Sequence, residues 1–379
     1  MSDTTLAREL KALPTELRTR LTARGFRDDR LLSQAVGIGV NRDERNRLPG
    51  DVEPPHAGDL VSAATKADPQ HARWEELGQK LIREGRVALI VLAGGMATRM
   101  GGVVKALVEA IPGKTFLDLR LLEQQALSRN ASMPAPLWLM TSEATHGSIL
   151  EALGDRCDGK NVAAFEQCVS LRLNPDGTLF HDDDGDPSTF ATGHGDLPEA
   201  LEKSNLLERF LIDRGDGFVW IANLDNLGAT VDAAMLGQFA ESGATCAVEV
   251  VDKVGTDRGG VPVRWKGKRI IAEEFRIPRE VDPSVIRVFN TNTFLVRATA
   301  LRDLDFDFSF VEVEKTVGDR KAVQFERLLG EMTVALEPTF WHVPRDGEGS
   351  RFLPVKDPAE LEKRRPEIEL VARARGILD

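Results

Sequence analysis

The segment VALIVLAGGMATRMGGVVKA, residues 87–106, constrains this chain most: six apolar residues run straight into a loop that holds two Gly pairs, Thr98 and Arg99 and closes on Lys105. A short apolar run bounded by glycine reads as a strand buried on both faces, the kind found in parallel sheets covered by helices. Glycine tolerates positive φ and lets backbone N–H groups approach an anion closely. Arg99 and Lys105 would supply the cations for a phosphate. An ordinary tight turn is the plainer alternative. The patterns G-x-x-x-x-G-K-[ST] and G-x-G-x-x-G do not occur, which removes two familiar nucleotide loops.

Beyond this loop the pattern alternates. Strands are predicted at 87–92, 136–141, 218–223 and 245–251, and helices over 123–129, 145–153, 198–209 and 231–241. That order implies an α/β fold with a mixed, mostly parallel Rossmann-like sheet flanked by helices. From 261 to 296 closely spaced alternating strands predict an antiparallel patch over the site. Upstream, Leu6, Leu10, Leu13, Leu17, Leu21, Leu31, Leu32 and Val36 recur at helical spacing, the Gly- and Pro-rich stretch 37–59 reads as a linker, and a helix is expected over 69–84. The organisation predicted is an N-terminal helical appendage, 1–85, and a catalytic domain, 86–379, ending in a short helical tail.

Composition narrows the class. The net charge is −11, and residues 1–85 balance fourteen Lys/Arg against fourteen Asp/Glu, so the whole negative excess lies downstream. Such a surface disfavours nucleic acid, whose binding relies on displaced counterions. The three cysteines, Cys157, Cys168 and Cys246, form no C-x-x-C pair. No signal-peptide pattern opens the chain, and the apolar run at 87–93 is far short of the roughly 20 residues that span a bilayer. A soluble, cytoplasmic protein without membrane or nucleic-acid partners is expected.

Three further constellations stand out. In VWIANLDNLGATVD, Asn223 and Asp225 fall just past a strand end, where one carboxylate could hold Mg²⁺ together with substrate phosphates; an Asx turn or helix cap is the alternative. In ATGHGDLPEAL, His194 lies between Gly193 and Gly195, facing a ligand or serving as a structural hydrogen-bonder. In VFNTNTFLV, Asn290 and Asn292 are two apart on a strand and so share a face, suiting sugar hydroxyls, or else cap an edge strand. The run HDDDGDPS has Gly193 where a calcium loop starting at Asp182 needs its twelfth-position Glu, and reads as a solvated turn. Neither zinc spacing nor a G-x-S-x-G elbow is present.

Taken in order, LAGGMATRMGGVVKA, KTFLDL, LMTSEATHG, FEQ, GHGD, ANLDNLGATVD, FNTNTF, EKTVGDRKAVQFE and SRFLPVK resemble the UDP-glucose pyrophosphorylase family, eukaryotic-type branch, over about residues 87–356. The resemblance implies a GT-A-like nucleotidyltransferase sheet that joins UTP to a sugar 1-phosphate, most simply glucose 1-phosphate, giving a UDP-sugar and pyrophosphate. It implies that Leu92, Ala93, Gly94, Gly95 and Thr98 hold the nucleotide, with Gln167 reading the uracil edge and Met140 near the base. Lys105 would neutralise the UTP phosphates, Arg99 would add a phosphate contact, Lys315 would reach in from the far lobe, and Asp225 would hold Mg²⁺. Gly193, His194 and Asn223 would line the gap between the substrates, while Gly260, Glu273, Asn290 and Asn292 would take the sugar hydroxyls.

The implied reaction is an in-line attack by an oxygen already anionic at pH 7, so positioning and charge neutralisation suffice and no general base is needed. Departures from the family pattern are Ala97 for a third glycine, Val104 for a proline, Arg99, and the insertion RDGEG before Ser350. Only 23 residues follow Lys356, too few for the β-helix domain that carries oligomer contacts in eukaryotic relatives, so a monomer or small oligomer is expected. Two alternatives stay open: an N-acetylhexosamine or broad-specificity pyrophosphorylase, and a non-catalytic UDP-sugar-binding regulator.

Overall fold

The computed structural model describes residues 4–97, 100–255 and 257–378. Its centre is an eight-stranded sheet, here numbered along the chain: β1 Leu60–Ser62, β2 Val87–Leu92, β3 Leu137–Thr141, β4 Val162–Glu166, β5 Phe218–Asn223, β6 Cys246–Asp252, β7 Val288–Arg297 and β8 Thr339–His342. The spatial order is β1-β8-β6-β7-β5-β2-β3-β4. All neighbours pair in parallel except β7, which runs antiparallel to β5 and β6.

The strand period of two divides each central strand between two cores. Val87, Leu89 and Val91 of β2, with Leu137, Leu139, Phe218 and Trp220, face a layer containing helices Phe116–Ser128, His146–Leu153, Ala233–Ser242 and Pro358–Ala374. Ala88 and Ile90, with Trp138, Met140, Val219 and Ile221, face helices Leu197–Ser204 and Leu206–Arg214. Covering both faces is what allows uninterrupted apolar strands. The stretch predicted as one helix over 198–209 is two, because Asn205 takes a left-handed conformation at φ 57° and caps both.

Side chains lock several helix starts, those at Phe116 and Ala233 among them. Thr115 and Asp118 form a reciprocal capping box, and Asp232 accepts from Met235 N–H at 2.9 Å. Such caps contribute about 1 kcal/mol each.

The stretch before residue 86 is more than helices. Helices Thr5–Lys11, Thr15–Ala23 and Asp28–Gln34 bury Leu6, Leu10, Leu21 and Leu31 in a third core against Val169, Leu171, Val323 and Phe325. Farther along, Val52–Glu53 pairs with Gly260–Trp265, and β1 is the edge of the central sheet. Strands of two or three residues are too short to show a period, which hides them in a Gly- and Pro-rich stretch. Helix His71–Arg83 crosses helix Ala233–Ser242 so closely that a Cβ on Gly78 or Gly237 would meet backbone at 1.8 or 1.9 Å.

The antiparallel patch predicted for 261–296 is only half as predicted. Gly260–Trp265 and Lys268–Glu273 form an antiparallel hairpin, but the final strand, β7, lies inside the main sheet. Its Thr and Asn residues mimic half-buried alternation, yet Thr291 is 2 % exposed and its hydroxyl donates to Glu249 O at 3.1 Å.

Candidate active site

The strand order reverses beside β2. The chain steps outward from β2 to β3 and β4, then returns to β5 on the opposite flank of β2. Loops leaving adjacent strands in opposite directions open a crevice at their carboxyl ends, where α/β sheets hold ligands. Asn223 is in register with Leu92, and Leu224 N–H donates to Leu92 O at 3.2 Å. Just beyond, Lys105 Nζ lies 2.5 Å from Asp225 Oδ2, each side chain 19 % exposed. The pair is enclosed yet reachable.

On one side is the glycine loop. Ala93 N–H donates to Met140 O at 2.7 Å, while the carbonyls of Ala93 and Gly94 accept from the hydroxyls of Thr145 and Ser142 at 3.0 and 2.9 Å. Gln167 lies over Gly94: a Cβ there would come within 3.0 Å of Gln167 Oε1, so any larger residue would displace the amide from this position. Gly95 is exposed, and a small antiparallel ribbon pairs Met96 with Val104 and Ala97 with Val103. Met140 differs from its expected place beside a base, since its side chain is 0 % exposed in the core under the loop. Alternation along β3 turns it inward, and it meets the loop through its carbonyl. Thr98 and Arg99 lie outside the described residues.

On the other side is the hairpin. Gly260 and Glu273 are register partners, and a Cβ on Gly260 would lie 3.3 Å from Glu273 Oε1 and 3.5 Å from Asn290 Nδ2. These three residues converge. Burial, reinforced by the nearby Glu274 charge and opposed by Arg276, pushes the Glu273 carboxyl up to about 7. A carboxyl that holds its proton near neutrality can donate as well as accept.

Asn290 and Asn292 do not act as a same-face pair. Asn292 takes a positive φ of 59°, its N–H donates to Asn290 Oδ1 at 2.8 Å, and its amide turns to Asn223 Oδ1 at 2.8 Å. The break in strand geometry sends Asn290 toward Gly260 and Asn292 toward the end of β5.

His194 receives Leu329 N–H on Nδ1 at 2.8 Å, so the neutral ring carries its proton on Nε2. Burial lowers its pKa, with the Glu326 charge opposing. Its flanking glycines serve close packing: Gly193 has φ 101°, and a Cβ on Gly193 or Gly195 would meet Arg327 backbone at 2.6 Å. Lys315 comes from a different element than Lys105. It lies on the hairpin Val311–Val317 and Arg320–Glu326, where its ion pair, at 3.4 Å, is with Glu326.

Sequence reading missed the residues that hold Asp225 in place. Arg120, 0 % exposed, donates to the carbonyls of Asn223 and Asn226 at 2.8 and 2.7 Å and pairs with Glu123 at 2.8 Å. Asn226 donates to Arg351 O at 3.1 Å and accepts from Leu353 N–H at 2.8 Å. Arg351 in turn grips Glu249 at 2.8 and 2.6 Å and Thr230 O at 2.8 Å. An arginine inside the apolar run LDLRLL was the available signal, since such a charge survives burial only with partners. Among the described residues no group of three or more His, Cys, Asp or Glu is gathered for a metal.

A mostly parallel sheet, a ligand crevice at its reversal point, and a Lys–Asp pair between a glycine loop and a polar hairpin define an α/β protein of the nucleotide-sugar pyrophosphorylase type of fold. The chain belongs to the UTP--glucose-1-phosphate uridylyltransferase family, whose model matches residues 41–363. It is 30 % identical over 300 residues to the UTP--glucose-1-phosphate uridylyltransferase of Encephalitozoon cuniculi, covering 76 % of this chain and 59 % of that protein. It is 30 % identical over 299 residues to the Saccharomyces cerevisiae enzyme of the same name, covering 73 % and 58 %. This chain thus spans about three-fifths of the length of the curated relatives it matches. A UDP-glucose pyrophosphorylase structure from Leishmania major superposes with TM-score 0.70 at 23 % identity, over 94 % of this chain and 77 % of that one, and shares the fold. No helix of the described residues is long and apolar enough to cross a membrane.

Proposed function

We propose that this chain transfers the uridylyl group of UTP to glucose 1-phosphate, releasing pyrophosphate and UDP-glucose. The observation that carries the reading is the Lys105–Asp225 pair at the reversal of the sheet, set between the Gly94–Gln167 wall and the Gly260–Glu273–Asn290 cluster. Two differently built walls suit two different substrates. The Gln167 amide offers both a donor and an acceptor to a pyrimidine edge, and the hairpin cluster offers both to sugar hydroxyls. His194 Nε2–H would donate to a phosphate oxygen between them.

Lys105 offsets the repulsion between two anionic reactants, and the clamped Asp225 loop keeps its carboxylate aimed at the crevice. The residues fit Mg²⁺ in its usual role with nucleotides. A single half-enclosed carboxylate, Asp225, would be its protein ligand, with phosphates and water completing the shell. When bound, the ion would neutralise charge building on the phosphate oxygens. Cytoplasmic residence fits the three unpaired cysteines, two of them buried, and the negative net charge speaks against nucleic acid as a partner. We further propose a monomer or small oligomer.

A pyrophosphate-release assay with UTP and a panel of sugar 1-phosphates, with and without Mg²⁺, tests this. Release only with glucose 1-phosphate and only with the metal is expected. No release with any sugar, despite UTP binding, would sink the reading in favour of a binding protein.

A further inference from the structure

Between the N-terminal helices Thr15–Ala23 and Asp28–Gln34 the chain forms a strap beside the residues that brace the glycine loop. After helix Thr15–Ala23, Arg24 O accepts from Val169 N–H at 3.1 Å, and Gly25, at φ 86°, packs where a Cβ would lie 2.9 Å from Cys168 Sγ. Arg24 Nη1 donates to Glu143 Oε1 at 3.1 Å, while its Nε and Nη2 address the two oxygens of Glu166 at 3.4 and 3.2 Å. One guanidinium therefore bridges two carboxylates. Their chain neighbours are the residues that touch Gly94: Ser142 donates to its carbonyl and Gln167 covers its Cα. Glu143 is braced on its other oxygen by Thr189 Oγ1 at 2.8 Å.

From this we infer that Arg24 is a positioning residue for nucleotide selection, a role for the N-terminal segment that rests on the UTP-binding reading above. Without Arg24, Glu143 and Glu166 face each other uncompensated next to a pocket meant for a polyanion. They would separate, and Ser142 and Gln167 would move with them. A lysine keeps the charge but cannot address both carboxylates with a planar fork.

The test is UTP binding to the full chain by titration calorimetry, with KM and kcat from pyrophosphate release. Arg24→Gln should weaken UTP binding about three- to tenfold, the scale of losing a partly exposed ion pair or two, and leave KM for glucose 1-phosphate and kcat within about twofold. UTP should also lose part of its advantage over CTP. Arg24→Lys should recover only part of the affinity, and it keeps the test open if the Gln variant folds poorly. Arg27→Gln, which removes an exposed pair with Asp29 on the same segment, should match wild type. Unchanged UTP affinity in Arg24→Gln, equal rises in both KM values, or the same loss in Arg27→Gln would overturn the proposal alone. Wild-type protein that binds no UTP would overturn the underlying reading and this inference with it.

Discussion

The Lys105 ammonium sits 2.5 Å from the Asp225 carboxylate across 120 residues of sequence. Neither residue lies on a strand. Lys105 opens a short 3-10 turn after the glycine loop, and Asp225 lies two residues past β5. In this arrangement each charge holds the other in place until an anionic substrate or a metal competes for it.

Removing either member should therefore cost turnover rather than folding. Asp225→Ala is expected to lower kcat/KM for pyrophosphate release by about a thousandfold or more, and Lys105→Ala by about a hundredfold or more. The double variant should lose far less than the sum, because the groups act together. Near-wild-type turnover in Asp225→Ala would remove it from the chemistry.

The Arg351–Glu249 pair is structural, with side chains 4 % and 3 % exposed. Arg351→Leu strands a buried carboxylate and should destabilise the protein by about 3–5 kcal/mol in urea unfolding. Adding Glu249→Leu should recover much of that loss. If the single variant unfolds at the wild-type midpoint, Asp225's loop is held by something else.

Glu273 should make stability fall as pH rises. Its folded pKa, raised to about 7, exceeds the ordinary carboxyl value near 4.5, so the folded state retains a proton the unfolded chain has lost. Its contribution is complete below pH 4.5 and is lost by the time pH passes 7. Glu273→Gln should match wild type in acid and exceed it at pH 8, as chemical unfolding at several pH values would reveal. A constant difference between the two proteins would contradict this.

His194 works in the opposite sense. Its pKa is lowered by burial, so below the ordinary value of 6.5 the unfolded chain binds a proton that the folded ring refuses. Its share of stability is present above 6.5 and fades as pH falls through the folded value. His194→Gln should flatten that acid slope, and an unchanged slope would show that the ring titrates freely.

Gly237 tests the helix crossing. A Cβ there would lie 1.9 Å from Trp74 O, so Gly237→Ala must push helix His71–Arg83 outward. A loss of about 1–3 kcal/mol is expected, with turnover per folded molecule preserved. Thermal melting alongside activity distinguishes this from damage at the crevice.

Local pattern was enough for part of this protein. The strands predicted at 87–92 and 218–223 are β2 and β5 residue for residue, because a strand buried on both faces is apolar up to the end where it meets the site. The glycine loop was legible for a similar reason: glycines between a buried strand and a lysine are written in consecutive residues. The family motifs likewise brought Gly260, Glu273 and Asn290 to notice, although they lie on three separate strands.

What sequence could not decide was everything fixed by partners distant in the chain. Met140 turns inward because its neighbours across β3 are core, Asn292 leaves its strand face through a single positive φ, and β7 enters the main sheet although its alternation resembles a surface strand. Strands as short as Leu60–Ser62 carry no period of their own and exist only because an edge was waiting for them. Arg120 and Arg351 read as isolated charges until folding brings carbonyls and carboxylates around them, since burial of a cation is tolerable only where those partners converge. Sequence by itself determined the apolar strands at 87–92, 136–141, 218–223 and 245–251 and the glycine loop that follows the first of them; the tertiary structure alone decided which charges face one another, because that depends on distances no local pattern contains.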